Sequence, residues 1–139
     1  MTAWNESSRR YITEDPVFMI PGADEWRAAP ENSKQGSGDT LDTALGTVIS
    51  KSLEDHISAS LQLYEKALED GVCAEQARLF LPAYGMYVRW VWTGSLQAVA
   101  HFLSLRLDSH AQKEIRDYAE AVQTLTKEKF PVSLAALLK

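Results

Sequence analysis

A chain of 139 residues that is 45% hydrophobic is of single-domain size and can bury a modest core. Its net charge of -5 excludes a general attraction to nucleic-acid backbones, so basic residues that bind phosphate must be concentrated locally. No apolar run approaches the roughly 20 residues of a membrane span, the start Met1-Thr2-Ala3-Trp4-Asn5-Glu6 lacks a signal-peptide layout, and Cys73, the only cysteine, excludes an intramolecular disulfide and a cysteine-built metal site. The expectation is a single cytoplasmic domain over residues 1–139 with no membrane partner, no nucleic-acid partner and no bound metal.

The first eleven residues, ending Asn5-Glu6-Ser7-Ser8-Arg9-Arg10-Tyr11, are polar and without a helical stripe, so they read as an ordered loop or a tail. Pro16-Val17-Phe18-Met19-Ile20-Pro21 is a β-prone run between prolines, suited to an edge strand or an extended segment. Gly, Pro, Ser and Asn punctuate residues 22–39 as a surface loop. From Leu41 through Leu45, Val48, Ile49, Leu53, Ile57, Leu61 and Tyr64 to Leu68, apolar residues recur at three- and four-residue steps, which predicts one long helix that Gly71 stops.

A short helix is expected from Ala74 to Leu81, ending at Pro82. Tyr87 to Thr93 is dense in aromatic and β-branched residues and fits a strand or a helix. Leu96 to Leu105 reads as a buried helix. Ser109 with Gln112 reads as a capping box opening the next helix, whose inward stripe is Ile115, Ala119 and Val122 with Tyr118. Lys127-Glu128-Lys129 closes it at the negative end of the dipole, and Pro131 starts a last helix reaching Leu138. The fold class is α+β and predominantly helical: a loop and short strand over 1–21, a surface loop over 22–39 and a helical core over 40–139.

Three places carry chemistry. Asn5-Glu6-Ser7-Ser8-Arg9-Arg10 sets arginine forks beside hydroxyl, amide and carboxylate groups. Such a set either holds a nucleotide, with arginine on phosphate and carboxylate on ribose hydroxyls or an imide N–H, or is a solvated tail. Arg106 ends one apolar helix just before Asp108-Ser109-His110. It either meets an anion, or pairs with Asp108 or caps carbonyls of the preceding helix, and His110 is either a ligand contact or a first-turn surface residue. Arg78, among the apolar neighbours of Ala77-Arg78-Leu79-Phe80-Leu81-Pro82, needs a ligand, an intrachain acid or solvent.

Asn5-Glu6-x-Ser8-x-Arg10-Tyr11 resembles the latter part of the motif of the flavin-dependent thymidylate synthases, the ThyX family, in which Arg-His-Arg and a short spacer precede Asn-Glu-x-Ser-x-Arg-Tyr. Ala77-Arg78-x-x-Leu81-Pro82, Trp92-Thr93, His101-Phe102-Leu103-x-Leu105-Arg106 and Ala111-Gln112-x-Glu114-Ile115-Arg116 follow in the family's order. The resemblance implies methylation of dUMP to dTMP with methylenetetrahydrofolate and with FAD that NADPH has reduced, in a homotetramer and without a cysteine nucleophile. By the same resemblance, Glu6, Ser7, Ser8, Arg9, Arg10, Arg78 and Arg106 bind dUMP. Arg106 is also the catalytic residue, since a fixed cation favours ionisation of the uracil at N3. The resemblance further implies that Asn5, Glu6, Ser95, Gln97, His101 and His110 contact FAD.

The pattern departs in three places. The chain begins about where Arg-His-Arg would have ended, Arg9 stands where many members carry glycine, and Ser95 and Gln97 stand where many members carry asparagine and arginine. A second expectation, of a non-catalytic helical oligomer keeping part of the nucleotide site, is therefore kept beside the enzyme.

Overall fold

A computed structural model describes residues 2–6, 14–31 and 36–138. Two strands, β1 (Thr2–Glu6) and β2 (Trp90–Gly94), pair with each other. Five helices are described: α1 (Thr43–Glu69), α2 (Ala74–Ala77), α3 (Leu96–Arg106), α4 (Lys113–Lys129) and α5 (Pro131–Leu137). A 3-10 turn, Arg78–Phe80, continues α2. The α+β, mostly helical expectation holds. No described helix is long and apolar enough to cross a membrane.

The chain forms two compact units. One comprises residues 5–27 and 40–91, and its centre is α1. Asp42 caps this helix, its carboxylate accepting from the backbone N–H of Ala44 at 2.9 Å and of Leu45 at 3.3 Å. At the other end the Val72 N–H returns to the Ala67 carbonyl at 2.9 Å and the Gly71 N–H to that of Leu68 at 3.0 Å. Gly71 has φ 83, so this closure needs glycine's left-handed freedom. Ile57, Ser60, Tyr64 and Ala67 form the buried stripe, and Tyr64 and Ala67 pack with Ala77 and Leu81, while Phe18, Leu61 and Met86 lie half-buried against them.

The loop before α1 is pinned to it. Trp26 Nε1 donates to Ser50 Oγ at 2.8 Å, and that hydroxyl donates to the Pro21 carbonyl at 2.7 Å. Gly46 lets the backbone at Ala23 approach α1 so closely that no side chain fits between them.

The second unit comprises residues 1–4, 28–39 and 92–139, and is built on α3, α4 and α5. Ala100, Leu103, Ala119 and Leu134 form its core, with Val99, Phe102 and Val122 half-buried beside them. Complete burial of Leu103 contributes about 2 kcal/mol. Trp92 stacks on Trp4, ring centroids 5.3 Å apart, and meets Phe102 edge-on at 5.5 Å.

Three local readings change and two open ones resolve. Thr2–Glu6 is a strand rather than a loop or tail, because its partner β2 is remote in sequence and leaves no local signal. Pro16 to Pro21 makes only a bridge, Phe18 to Met86, as an extended segment with its ends proline-limited. Tyr87 to Thr93 resolves into a strand that starts at Trp90. The Ser109–Gln112 capping box does not form: α4 starts at Lys113, Gln112 is its N-cap, and no side chain caps it. Ser109 thus lies too far upstream of the first turn for its hydroxyl to cap it. Tyr118 is 61% exposed rather than inward, since one residue off the Ile115, Ala119 and Val122 stripe is about 100° around the helix.

Candidate functional site

Glu6 ends β1 and Arg78 opens the 3-10 turn after α2. Far apart in sequence, they line one cleft of about 290 Å³ whose other walls are Leu79, Leu81, Ala83, Met86 and Val88. One acceptor and one cation therefore face an otherwise apolar surface, a pattern that suits a ligand with an anionic end and a flat, weakly polar body.

Arg78 is held against α2. Its Nε donates to the Glu75 carbonyl at 3.3 Å, and the two terminal nitrogens make no hydrogen bond to a described residue. The open choice between ligand, intrachain acid and solvent thus narrows: no acid among the described residues pairs with Arg78. The apolar walls had no chemical signal in the sequence beyond their hydrophobicity.

Asn5 is exposed beside Glu6 on β1. Ser7, Ser8, Arg9 and Arg10 lie outside the described residues.

The other predicted residues belong to α3 and the turn after it. Ser95 is the N-cap of α3, its Oγ accepting from the Ala98 N–H at 3.2 Å, so it has a structural duty of its own. Gln97 and His101, four residues apart, share a face. Both are exposed, and neither side chain is hydrogen-bonded to a described residue. Arg106 is the last residue of α3, exposed, with no ion pair or hydrogen bond to a described residue. The reading that pairs it with Asp108 fails, because Asp108 is engaged elsewhere.

Asp108 Oδ1 lies 2.8 Å from the backbone nitrogen of His110 and 2.8 Å from its ring Nδ1. The backbone N–H of His110, and then its ring, hold the Asp108 carboxyl below its ordinary value of 3.8. A depressed carboxyl stabilises the folded turn above its unfolded pKa, and that contribution is lost as pH falls through the folded value. The turn is accordingly expected to persist at neutral pH and to loosen only below 3.8. Carbon NMR of the Asp108 carboxyl checks this: a titration midpoint at or above 3.8 would show that the turn is not held in solution.

Cys73 is exposed at the N-cap of α2 and does not line the cleft. Among the described residues, no group of His, Cys, Asp and Glu could hold a metal ion.

Residues 1–132 match the family described as thymidylate synthase complementing protein. The chain is 34% identical over 134 residues to a flavin-dependent thymidylate synthase of Dictyostelium discoideum, covering 96% of this chain and 44% of that protein. A flavin-dependent thymidylate synthase of Kosmotoga olearia is 37% identical over 134 residues, covering 96% of this chain and 57% of that one. The chain thus spans about half the length of the curated relatives it matches. Among solved structures, the UMP/dUMP methylase PolB of Streptomyces cacaoi, bound with 5-bromo-UMP, superposes with a TM-score of 0.82 at 26% identity, covering 97% of this chain and 62% of that one. A match over nearly the whole chain, together with the same overall fold, makes this protein a member of the thymidylate synthase complementing protein family.

Proposed function

We propose that this protein carries the dUMP-facing residues of a flavin-dependent thymidylate synthase, methylating dUMP to dTMP with methylenetetrahydrofolate and NADPH. The observation that carries this reading is the convergence of Glu6 and Arg78 on one cleft with apolar walls. Relatives named flavin-dependent thymidylate synthase, and a structural neighbour that methylates UMP and dUMP, support it.

In this reading Arg78 takes the phosphate with its unengaged terminal nitrogens, in the bidentate manner a guanidinium allows. Glu6 accepts from a ribose hydroxyl or the imide N–H. Leu79, Leu81, Met86 and Val88 pack on the nucleoside and keep water from it. Ser7, Ser8, Arg9 and Arg10 complete the polar shell of dUMP. Arg106 is the catalytic residue: its guanidinium stabilises negative charge that develops on the pyrimidine as C5 becomes nucleophilic.

FAD, when bound, supplies the reducing equivalents that NADPH delivers. The donor set on α3 fits a flavin in one respect. Gln97 and His101 present uncommitted hydrogen-bonding groups on one exposed face, whereas neither Ser95 nor Gln97 carries a charge for phosphate. These residues, with Asn5 and His110, would hold the flavin by neutral hydrogen bonds, and Glu6 would add its carboxylate as an acceptor. The exposed apolar residues Leu45, Val48 and Leu63 of α1 support a homotetramer, and a cytoplasmic location goes with the reading.

Methylation at C5 must release the hydrogen that C5 carries. Tritium release from 5-tritiated dUMP, dependent on methylenetetrahydrofolate, FAD and NADPH, is the expected result. Arg78→Ala should weaken dUMP binding about 10- to 100-fold by calorimetry, the loss of a charge-assisted contact. A protein that neither releases tritium nor binds dUMP more tightly than its Arg78→Ala variant would end this reading.

A further inference from the structure

The turn between α3 and α4 is more tightly braced than an exposed connection needs. Asp108 Oδ1 engages both the backbone N–H and the ring Nδ1 of His110, each at 2.8 Å. The Ala111 N–H donates to the Asp108 carbonyl at 3.0 Å. Arg116, half-buried on α4, donates from Nη1 to the Ser109 carbonyl at 2.9 Å. Yet the ring so carefully held is 86% exposed.

An ionised carboxylate only accepts hydrogen bonds, so a neutral His110 facing it must carry its proton on Nδ1. Its Nε2 is then a lone-pair acceptor pointing away from the turn, and no described residue uses it. A free histidine side chain favours the opposite tautomer, with the proton on Nε2, and would present a donor there.

We infer that Asp108 is a positioning residue that fixes the tautomer and orientation of His110, so that Nε2 accepts a hydrogen bond from a donor of the flavin. This rests on the reading that His110 contacts FAD. The donors FAD offers are the ring imide N–H, the ribityl hydroxyls and the adenine amine. Arg116 is the second brace: it holds the Ser109 carbonyl and keeps the turn from swinging the ring away. Neither Asp108 nor Arg116 needs to touch the cofactor.

Long-range nitrogen–proton NMR of ¹⁵N-histidine-labelled protein above the histidine titration range, without FAD, reads the tautomer directly. The expected result is a predominantly Nδ1–H ring in the wild type and in Asp108→Asn, whose amide oxygen still accepts, and a predominantly Nε2–H ring in Asp108→Ala. Flavin fluorescence titration should then give an FAD Kd about tenfold weaker for Asp108→Ala, as for loss of one hydrogen bond, and restored by Asp108→Asn. The same tautomer in the wild type and Asp108→Ala overturns the role of Asp108 whatever the FAD affinity. A tautomer switch with unchanged FAD affinity overturns instead the flavin contact of His110, and the positioning role with it.

Discussion

Lysine in place of Arg106 is expected to lower kcat by about 100-fold while changing the KM for dUMP far less. The guanidinium sits at the end of α3, exposed and without an ion pair or hydrogen bond to a described residue. Its charge is therefore available to a ligand and is not spent on the fold. Lysine keeps the charge but replaces a planar fork with a mobile point, so it loses the fixed pair of donors that a delocalised pyrimidine anion requires. Removing one preorganised donor from a developing anion costs about 100- to 1,000-fold in turnover. Steady-state kinetics of the proposed dUMP methylation separates the outcomes. A KM rise with kcat intact would make Arg106 a binding residue alone, and unchanged kinetics would remove it from the site.

The largest effect on stability is expected at Gly46. Alanine there gains about 1 kcal/mol of helix propensity, and on an isolated helix it would stabilise. In this fold its Cβ would lie 1.8 Å from the Ala23 carbonyl oxygen and 2.8 Å from the carbonyl carbon. The obstacle is backbone, held by the bonds joining Trp26, Ser50 and Pro21. Overpacking of this kind costs up to about 3 kcal/mol and occasionally more, so the clash should outweigh the propensity and lower Tm by roughly 10 °C. Gly71→Ala is the informative contrast. Nothing lies within 4 Å of its added Cβ, but φ is 83, so the expected cost is the 1 to 2 kcal/mol, roughly, of a left-handed L-residue. Equal melting of Gly46→Ala and wild type in a thermal scan would mean that the loop at Ala23 yields freely.

The helices were readable because their causes are local. Leu53, Ile57, Leu61 and Tyr64 repeat at the helical period, Gly71 closes α1 with a left-handed residue, and Pro131 opens α5. β1 was not readable, since a polar five-residue strand exists only through its pairing with a segment most of the chain away. The capping box failed for a related reason: Ser109 and Gln112 have the right spacing, but Arg116 holds the Ser109 carbonyl and Asp108 holds His110, so the turn has a different occupant. Arg78 and Glu6 were legible as chemistry, through a motif, while the apolar wall they share was not. Leu79, Met86 and Val88 look like ordinary core residues until the fold leaves them lining a cleft. Asp108 was read only as a partner for Arg106, because nothing in the sequence told which neighbour its carboxylate would choose.

The aromatic residues have an optical consequence. Trp4 and Trp92 lie nearly parallel, 11° apart, with centroids at 5.3 Å, close enough for their strong indole transitions to couple and give a far-ultraviolet dichroic couplet. That pair belongs to the unit built on α3, α4 and α5, whereas Trp26, with its indole N–H bonded to Ser50, belongs to the unit built on α1. Each unit thus carries its own tryptophans, Trp90 joining Trp26 in the unit built on α1. With Trp90 replaced by Phe, loss of the couplet and the tryptophan emission can be followed in one melt, and their coincidence or separation distinguishes a single cooperative transition from two.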